Sequence, residues 1–383
     1  MEIRSLLLGT LLFGMMGCGG EKEVAETMIT VDVTQSYPKK SLVLQDFLQV
    51  EYVPLELTDE FVTNGQVKDV TAHYIVITNG REGEVLLFDR ATGKGVKKIN
   101  RRGQGPEEYL FPINALLDES AGELFINDGP SSRIQVYDLS GNYKRSISYR
   151  KGAFVSNIYK YDSNYLLCQD TYAPENTDAV HTFFLLAKTG DASRYIEIPY
   201  EKKISTVIVK QVGNMVYGNG PRNSMIVPHG SDWILTEPSA DTIYTSMPEK
   251  GIHPFIVRTP SVQTMAPEVF LFPGVLTDRY YFMQAITKEC DVEKNEEMPK
   301  VDLVYDREQQ QIYQVEVRNQ DYKNRIEDMA QRSIDPEILL CTTLQAADLV
   351  EANGKGELQG QLKAIASQLD EEDNPVIMLV KQP

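Results

Sequence analysis

The sequence has little histidine and little cysteine, four of each among 383 residues. No CxxC pair and no Cys/His spacing of the zinc type occurs, so a zinc site is not expected. Beyond Cys18 the cysteines are Cys168, Cys290 and Cys341, an odd number that argues against a disulfide framework. The apolar runs around Cys168 and Cys341 suggest buried free thiols. Basic residues are also in deficit: 38 Lys and Arg stand against 55 Asp and Glu, a formal net charge of -17. Such a body is repelled by nucleic acid and by anionic lipid, and no nucleic-acid partner is expected. The N-terminal apolar run, Leu6 to Met16, is too short to span a bilayer. Catalytic signatures are missing too. There is no GxSxG nucleophile elbow. Arg101-Arg102-Gly103-Gln104-Gly105 lacks the Lys-Ser/Thr of a phosphate-binding loop, and no helix follows it.

What is present is a repeat. Tyr74–Asp89 (YIVITNGREGEVLLFD) lies over Glu123–Asp138 (ELFINDGPSSRIQVYD) without a gap, at a spacing of 49 residues. Ile77 falls on Ile126, Asn79 on Asp128, Val85 on Ile134, Phe88 on Tyr137 and Asp89 on Asp138. Short alternating runs separated by polar turns at this period predict propeller blades rather than helix pairs. With 42% hydrophobic residues there is enough apolar material for a large core.

The first blade is expected over residues 65–101, with turns at Asn79-Gly80 and Thr92-Gly93, and the second over 113–149. A third keeps Gly190 one repeat after Gly141 and carries the insertion Thr171–Val180. A fourth spans about 224–258 and a fifth contains Tyr280–Ala285 and Val301–Arg307, interrupted by the charged loop Lys288–Lys300. Near the C-terminus, Gln345–Ala352 and Glu357–Leu369 have helical spacing between strands at Ile338–Thr343 and Val376–Val380. An open toroid would leave two strand edges exposed. The alternating segment at 47–57 can complete the blade at 336–381 and close a ring of six. The expected fold is therefore all-β, a six-bladed β-propeller with a short helical insertion near the C-terminus.

Two resemblances add to this. The run from Leu6, ending in Met15-Met16-Gly17-Cys18, resembles the signal and lipobox of bacterial lipoproteins. That resemblance implies cleavage after residue 17 and lipid attachment at Cys18; residues 18–45, polar, acidic and without sustained periodicity, read as a tether leading into the propeller at 46–383. Several acyl chains make such an anchor stable, each buried methylene adding ~0.8 kcal/mol. Further on, Arg102–Pro112 (RGQGPEEYLFP), Gly122–Asp128 and Ser132–Asp138 resemble an NHL-type repeat. The GQGPEEY form and Glu371–Lys381 are similar to six-bladed propeller lipoproteins of Bacteroidetes. The family implies the bacterial cell envelope, with the outer membrane reached through the lipid anchor.

No residue pattern names a reaction. His73, His181, His229 and His253 share no position within their repeats. Asn79, Asp128 and Arg133 suit turn capping and ion pairing, and Trp233 suits the core. The best candidate ligand-binding residues are Arg101, Arg102, Gln104 and Tyr109, joined at one channel mouth by Arg222, Asn223, Arg279 and Tyr281. Arginine pairs with carboxylates in a bidentate fashion and tyrosine stacks on rings. The expectation is a non-catalytic module that binds a peptide, glycan or partner protein and needs no cofactor. The alternatives are a divalent-metal-dependent lyase or hydrolase in the channel, or a structural subunit of an envelope assembly.

Overall fold

The computed structural model describes residues 28–150, 153–170, 181–190, 193–248, 250–323, 325–331 and 335–383. The proposed signal, Cys18 and the insertion Thr171–Val180 lie outside them. The described chain forms a six-bladed propeller. Blade 1 comprises Val67–Val70, Tyr74–Asn79, Glu84–Asp89 and Gly95–Asn100. Blade 2 comprises Pro112–Asp118, Glu123–Asp128, Arg133–Asp138 and Tyr143–Ser148. The repeat therefore holds strand by strand. Even the irregularities repeat: the third and fourth strands slip register at Leu87/Phe88 in blade 1 and at Val136/Tyr137 in blade 2. A bulge at a fixed place adds the local twist that a blade needs.

Blade 3 runs from Val155–Lys160 through Tyr165–Asp170 and Phe183–Ala187 to Ser193–Ile196. Blade 4 has Ile226–His229, Asp232–Leu235, Thr242–Met247 and Gly251–Thr259. Blade 5 has Val269–Leu276, Tyr280–Thr287, Lys300–Asp306 and Gln311–Arg318. Six apolar clusters, each shared by two neighbouring blades, close the ring. Trp233 is 4% exposed in the cluster between blades 3 and 4, with its ring 5.2 Å from that of Tyr159.

Blade 6 joins the two ends of the chain. Val376–Lys381 pairs on one side with Leu340–Leu344 and on the other with Gln49–Pro54, antiparallel throughout. Val53, Ile377 and Leu379 are buried against blade 1. The turn of blade 1 meets the end of this closing strand at Gly93, which has φ +70°. A Cβ there would stand 1.9 Å from the carbonyl oxygen of Pro54, so only glycine fits. The helices Ala346–Gly354 and Gly360–Ala366 fill the connection inside blade 6 and bury Leu349 and Leu362.

One expectation is corrected. Residues 28–45 are not a tether: Ile29–Asp32 and Lys39–Val43 lie parallel to the outermost strands of blades 4 and 5. Ile29 and Val31 are buried while Thr30 is exposed, which is the alternation of an edge strand. Their placement covers two strand edges that would otherwise template association. A further hairpin, Ile208–Val212 with Met215–Asn219, projects from the connection between blades 3 and 4. Among the described residues no helix is long and apolar enough to cross a membrane.

Candidate functional site

Each blade reverses direction strand by strand, so its connections sort onto two faces. The crossovers between blades share a face with the turns between second and third strands. Hydrogen bonds between the two sets fix this: the Phe111 N–H donates to Asp128 Oδ1 at 3.2 Å, and the Phe154 N–H to Asp170 Oδ1 at 2.9 Å. Thr63 Oγ1 and Asn79 Oδ1 make the matching contact in blade 1 at 2.8 Å. Asn79 and Asp128 thus act as turn and crossover anchors. The other turns, including His73 with Arg90 and Arg279 with Arg307, lie on the opposite face.

The GQGPEEY crossover is bound to blade 2 along its length. Arg133, Gln135 and Tyr137 alternate along one strand and so project from one side of it. Arg133 Nη2 donates to the Glu108 carbonyl at 2.8 Å, Gln135 Nε2 to that same carbonyl at 2.7 Å and to that of Pro106 at 3.0 Å, and Tyr137 Oη to that of Glu107 at 2.6 Å. The Gly105 N–H donates to Glu108 Oε2 at 2.8 Å, and a Cβ on Gly103 would stand 1.9 Å from that oxygen. The glycines therefore make room for a carboxylate that belongs to the turn itself.

The sequence-predicted ligand residues fare unequally. Tyr109 is fully buried: its hydroxyl donates to the Gly83 carbonyl at 2.8 Å and accepts from the Arg101 N–H at 3.2 Å. Burial pushes its hydroxyl up to about 12. It cannot stack on a ligand in this state. The Arg101 guanidinium clasps the Gly141 carbonyl of the next blade at 2.9 Å, and Arg102 Nη1 donates to the Arg81 carbonyl at 2.6 Å. Gln104 and Arg222 are exposed. Asn223 reaches Gln284 Oε1 at 3.0 Å on the crossover face. Arg279 stands on the opposite face, because it lies in the turn between the first and second strands of blade 5. Tyr281 is 2% exposed, packed against Phe255 and the edge of His229. The eight do not form one mouth. Among the described residues no three His, Cys, Asp or Glu side chains converge as metal ligands.

What the crossover face does present is a cleft of about 750 Å³ on blade 1. One wall is the crossover segment 59–66, another the turn Thr78–Glu84, and Phe111 closes the side toward blade 2. Its origin can be read from the repeat. The positions one repeat before Arg133, Gln135 and Tyr137 are Glu84, Leu86 and Phe88, none of which can donate to a crossover carbonyl. Asn374 from blade 6 holds that crossover instead, donating to the carbonyls of Glu56 and Phe61 at 2.7 and 2.8 Å. Glu84 turns toward Lys98 at 2.6 Å and Asn79 at 2.9 Å. Space is left where blade 2 is clamped shut.

Apolar side chains rim this face. Val62 is 57% exposed, Phe111 40% and Phe154 50%, each on a crossover just ahead of a blade. Val62 and Phe111 are one repeat of 49 apart. In the cleft wall Thr78 is 1% exposed, and its hydroxyl has no hydrogen-bond partner among the described residues. A buried, unsatisfied hydroxyl at a cleft is a natural contact for a ligand.

Comparison with known proteins supports the architecture. Over 93% of this chain and 100% of the other, the fold is similar to that of a Bacteroides fragilis protein classed as exported, with a TM-score of 0.64 and 15% identity. A DUF4221 member from Bacteroides vulgatus is similar over 88% of this chain and 99% of its own, with a TM-score of 0.48 and 11% identity. Virginiamycin B lyase from Staphylococcus aureus gives a TM-score of 0.37 at 12% identity, over 66% of this chain and 73% of its own. No curated protein sequence matches. Residues 28–259 match the family described as Domain of unknown function (DUF4934), and the chain belongs to that family.

Proposed function

We propose that this protein is a lipid-anchored propeller of the bacterial envelope that works as a binding module rather than an enzyme. The observation that carries this reading is the blade 1 cleft, open on the crossover face and rimmed by exposed Val62 and Phe111. A propeller gathers loops from every blade on one face, which suits recognition of a peptide, glycan or partner protein. The lipobox-like sequence supports attachment through Cys18, the resemblance to Bacteroidetes propeller lipoproteins supports the outer membrane, and the NHL-like repeats fit a recognition role.

Two experiments test it. Replacing Cys18 with Ser should move the protein from the membrane to the soluble fraction; retention at the membrane would remove lipidation as the anchor. Phe111→Ala should leave folding unchanged, since the ring is 40% exposed, and should lose the binding partner retained by the wild type in detergent-solubilised membranes. An identical set of partners in wild type and variant would refute the cleft as the binding site.

A further inference from the structure

The cleft lining carries four carboxylates against two cationic side chains. Of the four acidic residues that line it, Glu84 is paired with Lys98 at 2.6 Å, while Asp59, Glu60 and Glu82 have no ion-pair partner among the described residues. Arg81 is the other basic side chain of the lining. Like charges held in one concavity repel one another and focus the field, so the cleft favours a positive ligand. Net charge strengthens this, because the whole chain carries -17.

Charge alone does not make a site. The second observation is the Thr78 hydroxyl, buried in the wall of the same cleft and without a hydrogen-bond partner among the described residues. The third is the apolar wall, where Val62 and Phe111 expose 57% and 40% of their surface. A bare metal ion would have no use for that wall, and a neutral sugar would leave the carboxylates uncompensated. A main-chain carbonyl can accept from Thr78 Oγ1, an apolar side chain can lie between Val62 and Phe111, and Lys or Arg side chains can reach the carboxylates. We infer that the cleft receives a cationic, partly apolar peptide segment of a partner protein. This rests on the reading of the cleft as a binding site and adds the class of ligand.

Fluorescence anisotropy on the tag-free protein tests it with three labelled pentapeptides: Lys-Leu-Lys-Leu-Lys, Glu-Leu-Glu-Leu-Glu and Lys-Ser-Lys-Ser-Lys. The first should bind best, the second should not bind, and the third should bind at least about fivefold more weakly, as expected for loss of buried apolar area. Glu60→Gln with Glu82→Gln should weaken Lys-Leu-Lys-Leu-Lys about tenfold at low salt, with the loss shrinking as salt rises. Glu371→Gln with Glu372→Gln, an equal charge change at exposed positions outside the cleft lining, should have no effect. The inference is overturned if no peptide binds, if the acidic or serine peptide binds as well as the first, or if the two double variants behave alike. If the acidic peptide binds and Phe111→Ala removes it, the cleft survives as a site and only the cationic class falls. If peptides bind and Phe111→Ala changes nothing, the site itself is wrong.

Discussion

Tyr109 separates a structural role from a ligand-binding one, and removing its hydroxyl is the sharpest test. Tyr109→Phe keeps the ring and its edge-on contact with Tyr137, centroids 6.1 Å apart. It deletes the oxygen that donates to the Gly83 carbonyl at 2.8 Å and accepts from the Arg101 N–H at 3.2 Å. Both bonds tie the crossover to blade 1, and the site is fully buried, so water cannot replace the hydroxyl. A buried polar group left without its partner costs about 1–3 kcal/mol, and the Gly83 carbonyl is the group most directly orphaned. The expected loss is about 2 kcal/mol in urea unfolding, with an unchanged m-value. The variant also carries a pH signature. The Tyr109 hydroxyl is raised in the fold from 10.0 to about 12, so its contribution is complete below pH 10 and disappears as pH rises toward 12. The variant should therefore lose stability less steeply across that window. A loss below about 0.5 kcal/mol, within the range of ordinary surface changes, would refute the account of Tyr109 as an anchor. Loss of peptide binding at unchanged stability would restore it as a ligand residue.

The remaining expectations concern closure and inter-blade ion pairs. Gly93→Ala should cost more than about 2 kcal/mol, since a positive φ alone costs about 1–2 and the new Cβ meets the Pro54 carbonyl. Gly122→Ala, at φ +61° with nothing within 4 Å, should show only the backbone share; equal losses in urea melts would count against the close approach. Asp118 accepts from Lys160 and Lys188, each at 2.8 Å, and joins blade 2 to blade 3. Asp118→Asn should cost about 3–5 kcal/mol by stranding buried Lys188, and Lys188→Met in the same chain should recover much of it; a double variant no better than the single one would refute the pairing. Despite the burial penalty, Lys160 and Lys188 hold the Asp118 carboxyl well below its ordinary value, and Arg145 with Lys144 lowers Glu123 to about 2. Both depressed groups stabilise the fold in full above pH 4.5; that share should decline as pH falls from there in a circular-dichroism titration, with Glu123 passing through about 2 and the Asp118 share persisting lower still.

Most of the fold was legible because blade-forming signals are local. Alternation in Tyr74–Asn79 and Glu123–Asp128, and turns such as Thr92-Gly93, require no knowledge of distant residues. The helices near Leu349 and Leu362 showed in their spacing for the same reason. The parallel strands at Ile29–Asp32 and Lys39–Val43 escaped because each is only four or five residues long and pairs with a strand more than two hundred positions away. Their signal was present in the alternation of Ile29, Val31 and Val33. The hairpin at 208–219 carried one too, a Gly213-Asn214 turn between alternating runs.

The site was less legible because its chemistry is decided by partners that sequence order does not reveal. Arg101, Arg102 and Tyr109 are conspicuous as types, yet the carbonyls of Gly83, Arg81 and Gly141 occupy them. The cleft instead arises where the repeat departs from itself. Arg133, Gln135 and Tyr137 supply donors that hold one crossover against blade 2, while Glu84, Leu86 and Phe88 one repeat earlier supply none. Leu86 and Phe88 turn to the core, with Phe88 edge-on to Phe61 at 5.4 Å, and Glu84 is left facing the opening. Ring closure compounds the difference. The crossover into blade 1 follows a strand borrowed from the N-terminal part of the chain, and Asn374 of the C-terminal part holds it together with Asn79, which donates to the Val62 carbonyl at 2.8 Å. A closed propeller has one such seam, and this cleft opens beside it. The place where the two parts of the chain are joined is thus also where the strand donors of blade 2 have no counterpart and the cleft opens.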